Sequence, residues 1–407
     1  MDIRPILSTL RRHKTAAALI VLEIALACAI VCNAVYLISQ RLERMDRPTG
    51  VAEERLLRIQ TVSPGKNRND SARVQEDVQT LRGVPGVISA ASASQIPLGG
   101  SSSNSGVRMS PDQKDNSFNA SVYLGSEDLV ETMGLRLIAG RDFLPGEYQN
   151  METIEASFDE GRVAVAVVNR RFAERLFPGA TPATALGKQF YSWGNAPITV
   201  IGVVEELLRP NDYGNGQYSM IFPVRPHWSW SNYLIATEPG RRAEVLKAAV
   251  AELQRVRPGR VVLKENTFAE IREEYYRQDR AMAWLLSGVI LALLIVTALG
   301  IVGLASFWVQ QRTKQIGVRR ALGATRGQIL RYFQTENFLL TTIGIALGMA
   351  LAFAINLGLM KLYELPRLPG WYLPVGALCL WLLGQLAVYG PARRAAMVPP
   401  ALATRSA

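Results

Sequence analysis

Cysteine and histidine are scarce in this 407-residue chain, which contains three cysteines and two histidines. All three cysteines (Cys28, Cys32 and Cys379) lie in strongly apolar runs, and the long polar segment between them contains none. This distribution excludes a disulfide framework and a zinc site. His13 precedes the first apolar run and His227 lies far away in the polar segment, so we expect no metal site and no shared catalytic site.

The sequence also lacks the G-x-x-x-x-G-K-[ST] loop with which many ATPases hold phosphate. Two pairs of adjacent carboxylates are present, and neighbouring side chains on a strand or helix point apart. We interpret both pairs as solvated surface; they are Glu205 with Glu206 and Glu273 with Glu274. We therefore expect no catalytic residue, and no ATP bound by this chain.

Long hydrophobic runs, in contrast, are prominent, and four of them, each of about 18 residues or more, are long enough to cross a bilayer. A span needs about 20 apolar residues at about 1.5 Å per residue. The runs have no polar face at helical spacing, which distinguishes them from core helices of soluble proteins. They are Ala16–Ile38, Met282–Val309, Phe338–Met360 and Trp371–Val388.

The fold class predicted from these runs is an α-helical membrane protein with four transmembrane helices. A two-lobed α+β domain is inserted between the first two helices, because β-α-β patterns flank a middle section richer in strands. The predicted segments are 1–15 (N-terminal), 16–38 (span one), 39–281 (α+β domain with stalk helices), 282–309 (span two), 310–337 (connecting segment), 338–360 (span three), 361–370 (short loop), 371–389 (span four) and 390–407 (tail).

Charge predicts the orientation of these segments. The segment from Ser39 to Ala281 holds 30 Lys/Arg and 30 Asp/Glu, whereas the whole chain holds 45 and 34. The basic excess therefore lies in the termini and in the loop between spans two and three, and basic short loops stay cytoplasmic. We expect both termini and that loop inside and the large domain outside. The net charge of +11 is thus a topology signal and indicates no nucleic-acid partner.

A capping-box pattern, Thr267 with Glu270, starts a polar helix at Phe268 that runs without proline or glycine to Arg280. We expect this helix to continue into span two as a rigid stalk; a surface helix followed by a separate span is the alternative. Four polar residues lie within spans and are expected to face protein, because exposing them to lipid costs a few kcal/mol; they are Glu23, Asn33, Glu336 and Asn356. Glu23 and Glu336 are expected to pair with Arg12 or Arg331, and a role in relaying movement through the membrane helices is the alternative.

The segment 310–330 mixes basic residues with Ile316, Val318 and Leu322 and with three glycines. This composition predicts a short amphipathic helix at the membrane surface. Such a helix suits docking into a groove of a soluble partner. Contact with anionic membrane lipid alone is an equally good explanation at this point.

The same segment resembles the signature R-x-x-E-I-G-x-R-R-A-L-G-A of MacB-like and FtsX-like ABC transporter permeases, with Gln315 in place of the usual glutamate. The external segment Val122–Phe143 (VYLGSEDLVETMGLRLIAGRDF) and the block Val200–Val204 resemble further parts of that family. The resemblance identifies an ATPase-coupling segment, whose residues are Gln315, Ile316, Gly317, Val318, Arg319, Arg320, Ala321, Leu322 and Gly323.

The resemblance implies a permease subunit of an export or efflux complex in a bacterial inner membrane, with the large domain periplasmic. Its partners would be a separate ABC ATPase that binds ATP and Mg, and a second permease subunit, identical or paralogous. A periplasmic adaptor is a further partner that the resemblance allows. An FtsX-like transmitter that regulates a periplasmic partner, such as a cell-wall hydrolase, is the alternative function. A membrane sensor without an ATPase is a third, in which 310–330 would be dispensable.

The orientation is testable with single cysteines at Ser103 and Thr325, in a chain whose three native cysteines are replaced by alanine. A membrane-impermeant thiol reagent applied to intact cells should label the cysteine at 103 and leave the one at 325 unlabelled. The cysteine at 325 should react once the cells are permeabilised, which controls for its accessibility. Labelling at 325 in intact cells would overturn the topology.

Overall fold

The computed structural model describes residues 14–62, 70–156, 163–211, 216–226, 230–363 and 368–399. The chain forms two compact units, one comprising Met1–Asp46 with Gln278–Ala407 and the other Arg47–Arg277. The first contains the long apolar helices and the second an α+β domain. The predicted fold class is therefore confirmed.

The elements are numbered here in chain order. The helices are α1 Lys14–Met45, α2 Asp70–Arg82, α3 Leu129–Thr132, α4 Met151–Ala156, α5 Arg170–Leu176, α6 Pro182–Ala185, α7 Arg242–Val256, α8 Phe268–Tyr275, α9 Arg277–Gln311, α10 Thr313–Ala321, α11 Arg326–Tyr363 and α12 Tyr372–Ala396. The strands are β1 Leu56–Val62, β2 Val87–Ala93, β3 Asn104–Val107, β4 Phe118–Leu124, β5 Leu137–Gly140, β6 Gln149–Asn150, β7 Val165–Asn169, β8 Gln189–Phe190, β9 Ile198–Val204, β10 Ser219–Phe222, β11 Val224–Arg225, β12 Trp230–Thr237 and β13 Val261–Thr267.

Within the described residues, four helices are long and apolar enough to cross a membrane: α1, α9, α11 and α12. Helix α1 packs against α11 through two glycines four residues apart. A Cβ on Gly344 would lie 2.8 Å from the Cβ of Ile24, and one on Gly348 would lie 2.5 Å from the Cβ of Cys28. These two glycines therefore allow close packing of α11 against α1 inside the chain.

Two asparagine side chains inside the spans, Asn33 and Asn356, make hydrogen bonds within the same bundle. The Asn33 amide donates to the carbonyl oxygens of Ala29 (2.9 Å) and Ala352 (3.1 Å), and the Asn356 Oδ1 accepts from the backbone of Leu368 at 2.9 Å. Asn33, Asn356 and Glu336 are buried, as expected, whereas Glu23 is half-buried. Hydrogen bonds of this kind inside the protein are favoured in hydrocarbon surroundings, which offer no other partner.

Helix α9 differs from the other spans in how little of it is covered. Ile301, Ala305 and Trp308 join the buried cluster of the bundle. Most other large apolar side chains of α9 are exposed on the chain as it stands; among them are Trp284, Leu285, Val289, Leu291, Ile295, Val296 and Leu299. A membrane environment or another membrane protein must cover this surface.

The outer lobe of the α+β domain is a four-stranded sheet in the order β13-β1-β12-β2, with antiparallel neighbours. Alternate residues of β1, Leu57 and Ile59, point to one face and pack with α2 and α7 through Val78 and Leu253. The other face of β1 carries Leu56, Arg58, Gln60 and Val62, so apolar and polar side chains are mixed there. The inner lobe is a seven-stranded sheet in the order β3-β4-β10-β7-β9-β5, with β8 paired to β9. Its chain segment lies between β2 and β12, so the predicted inserted lobe is confirmed.

The predicted stalk is divided in two. The capping box is present, with the Thr267 hydroxyl accepting from the backbone of Glu270 at 3.3 Å. Helix α8 then ends at Tyr275 and α9 begins at Arg277, because the backbone leaves helical geometry at Tyr276 (φ −92°, ψ 10°). Tyr276 is a buried aromatic residue, and its ring contacts the ring of Tyr275. The expectation of one uninterrupted helix from Phe268 to Arg280 was therefore wrong.

The contact between α11 and α1 predicts that Gly348→Leu will destabilise the bundle, because a larger side chain has no room against Cys28 and Ala25. Overpacking of this kind costs about 1–3 kcal/mol, so thermal unfolding of the purified chain should occur at a lower temperature. Gly358→Leu on the same helix is the matched control, since nothing lies within 4 Å of its Cβ position. Equal unfolding temperatures for the two variants would contradict the packing.

Candidate functional site

The segment 310–330 folds into a helix between two tight connections. The backbone N–H of Arg312 still bonds to Trp308 at 3.1 Å, and α10 begins at the next residue. Gly323, with φ of 95°, ends α10 in the left-handed conformation that glycine adopts without strain. Thr325 and Gln328 then cap the start of α11 with reciprocal side-chain bonds of 2.9 and 3.3 Å. The predicted helix is present, and these connections fix its position.

One face of α10 packs against the protein itself. Ile316 and Gly317 are buried, and Ile316 joins an apolar cluster with Val309, Phe333 and Ala395. Those partners belong to α9, α11 and α12 respectively. Arg320 adds polar contacts on the same side, donating to the carbonyl oxygens of Ala396 (3.2 Å) and Val398 (2.7 Å). Helix α10 is therefore attached to the ends of three spanning helices, and the charge distribution predicts that these ends are cytoplasmic.

The opposite face of α10 is exposed and combines apolar with basic groups. At positions i, i+3, i+4 and i+7 lie Gln315, Val318, Arg319 and Leu322, which share one side of a helix. Val318 is 51% exposed and Leu322 is 83% exposed. We call these four residues the exposed coupling face. The guanidinium of Arg319 lies 5.1 Å from the ring centre of Tyr332, which orients it beside this face.

A buried ion pair lies under α10. Nη1 of Arg312 bonds to both carboxylate oxygens of Glu336, at 3.1 and 2.9 Å. Arg312 is 7% exposed and Glu336 is 1% exposed, so water screens this pair very little. The guanidinium also lies 5.5 Å from the ring centre of Trp308. The pair joins Arg312, the residue just before α10, to Glu336 on the side of α11 that faces it.

The expected pairing of Glu336 with Arg331 was wrong. Residues five apart on a helix are rotated by about 140°, so the two side chains leave α11 on different sides. Arg331 is exposed, whereas Glu336 points inward to Arg312. The other expected partner, Arg12, lies outside the described residues. Glu23 lies against α9, where a Cβ on Gly300 would come within 2.5 Å of its carboxylate oxygens.

The structure thus divides the nine predicted coupling residues. Ile316 and Gly317 are buried against the protein, and Arg320 is half-buried. The other six residues are exposed. Arg312 and Tyr332 were missed as members of this site. A signal for Arg312 was available, because a basic residue that ends an apolar run directly before the motif needs a partner. In the part of the chain that the structure describes, no three His, Cys, Asp or Glu side chains are grouped to hold a metal ion.

Family comparisons match two parts of the chain. The description "MacB-like periplasmic core domain" matches residues 17–253, and "FtsX-like permease C-terminal" matches residues 287–400. The second match contains α10, the ion pair between Arg312 and Glu336, and the exposed coupling face. Together the two matches include parts of both structural units and leave residues 254–286 outside.

Several curated proteins with the printed name "Macrolide export ATP-binding/permease protein MacB" are similar to the chain. The one from Chromobacterium violaceum is 27% identical over 292 residues, covering 69% of this chain and 42% of that protein. The one from Neisseria gonorrhoeae is 28% identical over 250 residues, covering 58% of this chain and 36% of that protein. The chain therefore spans about two fifths of the length of these relatives or less.

Among solved structures, the extracellular domain of the noncanonic ABC-type transporter YknZ from Gram-positive bacteria is similar to part of this chain. The match covers 51% of this chain and 100% of the solved chain. The identity is 18% and the TM-score is 0.31.

The ion pair predicts that Glu336→Gln will destabilise the membrane unit, because it leaves the Arg312 charge buried without a carboxylate. Breaking a buried pair at one partner costs about 3–5 kcal/mol, so the thermal unfolding temperature should fall clearly. Replacing both residues by methionine should restore most of the loss. Arg331→Gln, which removes an exposed charge on the same helix, is the control and should change little. If Glu336→Gln and Arg331→Gln unfold at the same temperature, the pair has no structural weight.

Proposed function

Because the chain belongs to the family of MacB-like and FtsX-like ABC transporter permeases, we propose that it is the permease subunit of an ATP-driven export or efflux complex. In this proposal the ATPase, with its ATP and Mg, is a separate chain that docks on the exposed coupling face. The observation that carries the proposal is the division of α10 into a buried face and an exposed face with Leu322 at its end.

The exposed coupling face has the chemistry of a helix that enters a groove. An apolar side chain as exposed as Leu322 gains free energy when a partner covers it, about 25 cal/mol for each Å² removed from water. Basic residues surround it, and the sequence from 310 to 330 contains no acidic residue. A groove with an apolar floor and an acidic rim would be complementary to this surface. Gln315, which replaces the usual glutamate, would give a neutral hydrogen bond in place of an ion pair.

The contacts of α10 supply a route for movement. Its buried face reaches α9, α11 and α12 through the apolar cluster around Ile316, and Arg320 holds the end of α12. The pair between Arg312 and Glu336 adds a directional link to α11. A displacement of α10 by an ATPase would therefore move three spanning helices together, whereas a displacement of an unattached loop would only bend the loop.

The remaining parts of the proposal concern assembly and orientation. The exposed apolar residues of α9 are available to lipid and to a second permease subunit, identical or paralogous. The distribution of basic residues supports a cytoplasmic position for both termini and α10, and a periplasmic position for the α+β domain in a bacterial inner membrane. The printed name of the relatives suggests macrolides as one cargo to test.

The proposal predicts that Leu322→Asp will abolish recovery of an ABC-type ATPase when the chain is affinity-purified from its host in mild detergent. A charge placed at the apolar centre of an interface costs at least about 2 kcal/mol, enough to weaken docking more than tenfold. Identification of the co-purifying proteins by mass spectrometry is the measurement. Val318→Asp should act in the same direction and less strongly, because Val318 is less exposed.

Leu362→Asp is the matched control, since Leu362 is an equally exposed leucine near the other end of α11. It should leave ATPase recovery unchanged. Unchanged recovery with Leu322→Asp would refute the docking role of α10. Recovery of a cell-wall hydrolase with the ATPase would favour the regulatory function, and stimulation of the ATPase by a small compound or peptide would favour export.

A further inference from the structure

A cavity of about 740 Å³ lies in the α+β domain against the face of the four-stranded sheet that α2 and α7 leave open. On β1 the side chains of Arg58, Gln60 and Val62 line it, whereas the alternate residues point into the core. The register pairs Gln60 with Lys264 on β13 and Val62 with Trp230 on β12. The three strands therefore present one continuous wall.

The opposite wall is a segment held in place by its own hydrogen bonds. The Gln95 side chain accepts from the backbone of Ser103 at 2.7 Å and donates to the carbonyl of Val122 at 2.9 Å. The backbone of Gly100 donates to the carbonyl of Pro210 at 3.0 Å. Ser101, Ser102 and Ser103 add polar groups to this wall, and Ile96 adds an apolar one. The cavity is thus built between two fixed surfaces.

Arg58 is the unusual member of the lining. It is 5% exposed, and none of the ion pairs within the described residues includes it. Its Nη2 donates to Oδ1 of Asn266 at 2.8 Å, and its Nε is buried without a partner. Burial lowers the pKa of Arg58 from its ordinary value, and the charge of Glu274 opposes this by a smaller amount. A buried guanidinium with only a neutral partner is costly unless an anion completes its bonds.

The other lining groups restrict what such an anion can be. Lys264 supplies a second basic group, and none of the described lining residues is acidic. Apolar surface lies at the end of the sheet away from Arg58. It is supplied by Val62, four residues after Arg58 on β1, and by Trp230 and Leu263. The volume lies within the range of pockets for small ligands, about 300–1,000 Å³. Because the cavity is basic at one end and apolar at the other, it is complementary to a ligand with an anionic group at one end and an apolar body at the other.

We propose that this cavity binds an amphiphilic anion, a molecule with one carboxylate or phosphate group on an apolar body. The anionic group bonds to Arg58, with Lys264 nearby, and the apolar body lies against Trp230 and Leu263. That such a molecule is the cargo of the complex rests on the proposed export function. Binding itself does not depend on that function.

The experiment uses the full chain in lipid nanodiscs without any ATPase, and a medium-chain fatty acid that carries a photoreactive diazirine. After irradiation, peptide mass spectrometry should place adducts on the peptides that contain β1 and β12. The alcohol of the same chain length is the matched neutral probe and should label these peptides at least about tenfold less, the effect of losing one charge-assisted bond. A diazirine alkyl phosphate tests whether phosphate serves as well as carboxylate.

Arg58→Gln should lower labelling of the cavity by the acid about tenfold, and Arg58→Lys should retain most of it. Trp230→Ala should lower labelling by both probes, because it removes apolar surface. Arg255→Gln, an exposed arginine on α7, is the control and should have no effect. If Arg58→Gln does not fold, Lys264→Gln provides the charge test at an exposed position.

Adducts confined to the spanning helices, or equal labelling of the cavity by acid and alcohol, would overturn the proposal. Because no ATPase takes part, a failure of ATPase docking would leave this measurement unaffected. Loss of labelling in the cavity would in turn leave the docking test unaffected. The two proposals can therefore fail separately.

Discussion

Hydrocarbon offers no hydrogen-bond partner, so each polar group that enters the membrane unit must be satisfied by the chain itself. Arg312 and Glu336 pair their charges at the point where α9 gives way to α10, while Nη2 of Arg312 is buried without a hydrogen-bond partner. Since neither charge can be left alone without a cost of several kcal/mol, the start of α10 is fixed against α11. The position of α10, and with it the side that is left exposed, depends on this pair.

Once α10 is fixed there, helical periodicity decides the rest. Ile316 must point inward to the cluster with Phe333 and Ala395, and Leu322, six residues later, then points away from it. Leu322 and Val318 are both exposed beside Arg319, and covering them with a partner would remove apolar surface from water. The same pair that stabilises the membrane unit therefore also creates the surface on which the proposed function depends.

Four spans and an inserted α+β lobe could be predicted from the sequence because run length and alternation are local properties. The partner of Glu336 could not, because Arg312 approaches it only after α9 and α11 pack side by side. The two faces of α10 could be predicted only in part. Helical spacing places Gln315, Val318 and Leu322 on one side, but the contact with the end of α12 decides which side is buried. The break at Tyr276 was missed, since no proline or glycine announces it and a buried aromatic side chain accompanies it.

Two buried guanidinium groups, Arg312 and Arg58, show how partners separate a structural role from a binding role. Arg312 lies beside a carboxylate and a tryptophan ring, so its charge is neutralised within the chain. Arg58 is buried to a similar degree, yet its side chain bonds only to a neutral amide and it borders an open cavity. A chain that uses Arg312 only to hold helices together could replace it and Glu336 by apolar residues with little loss. Arg58 makes no ion pair within the described residues, and the charge of Glu274 offsets only part of the cost of its burial, so the fold gains little from keeping it. The charge at Arg58 is therefore better explained by something that enters the cavity than by the packing around it.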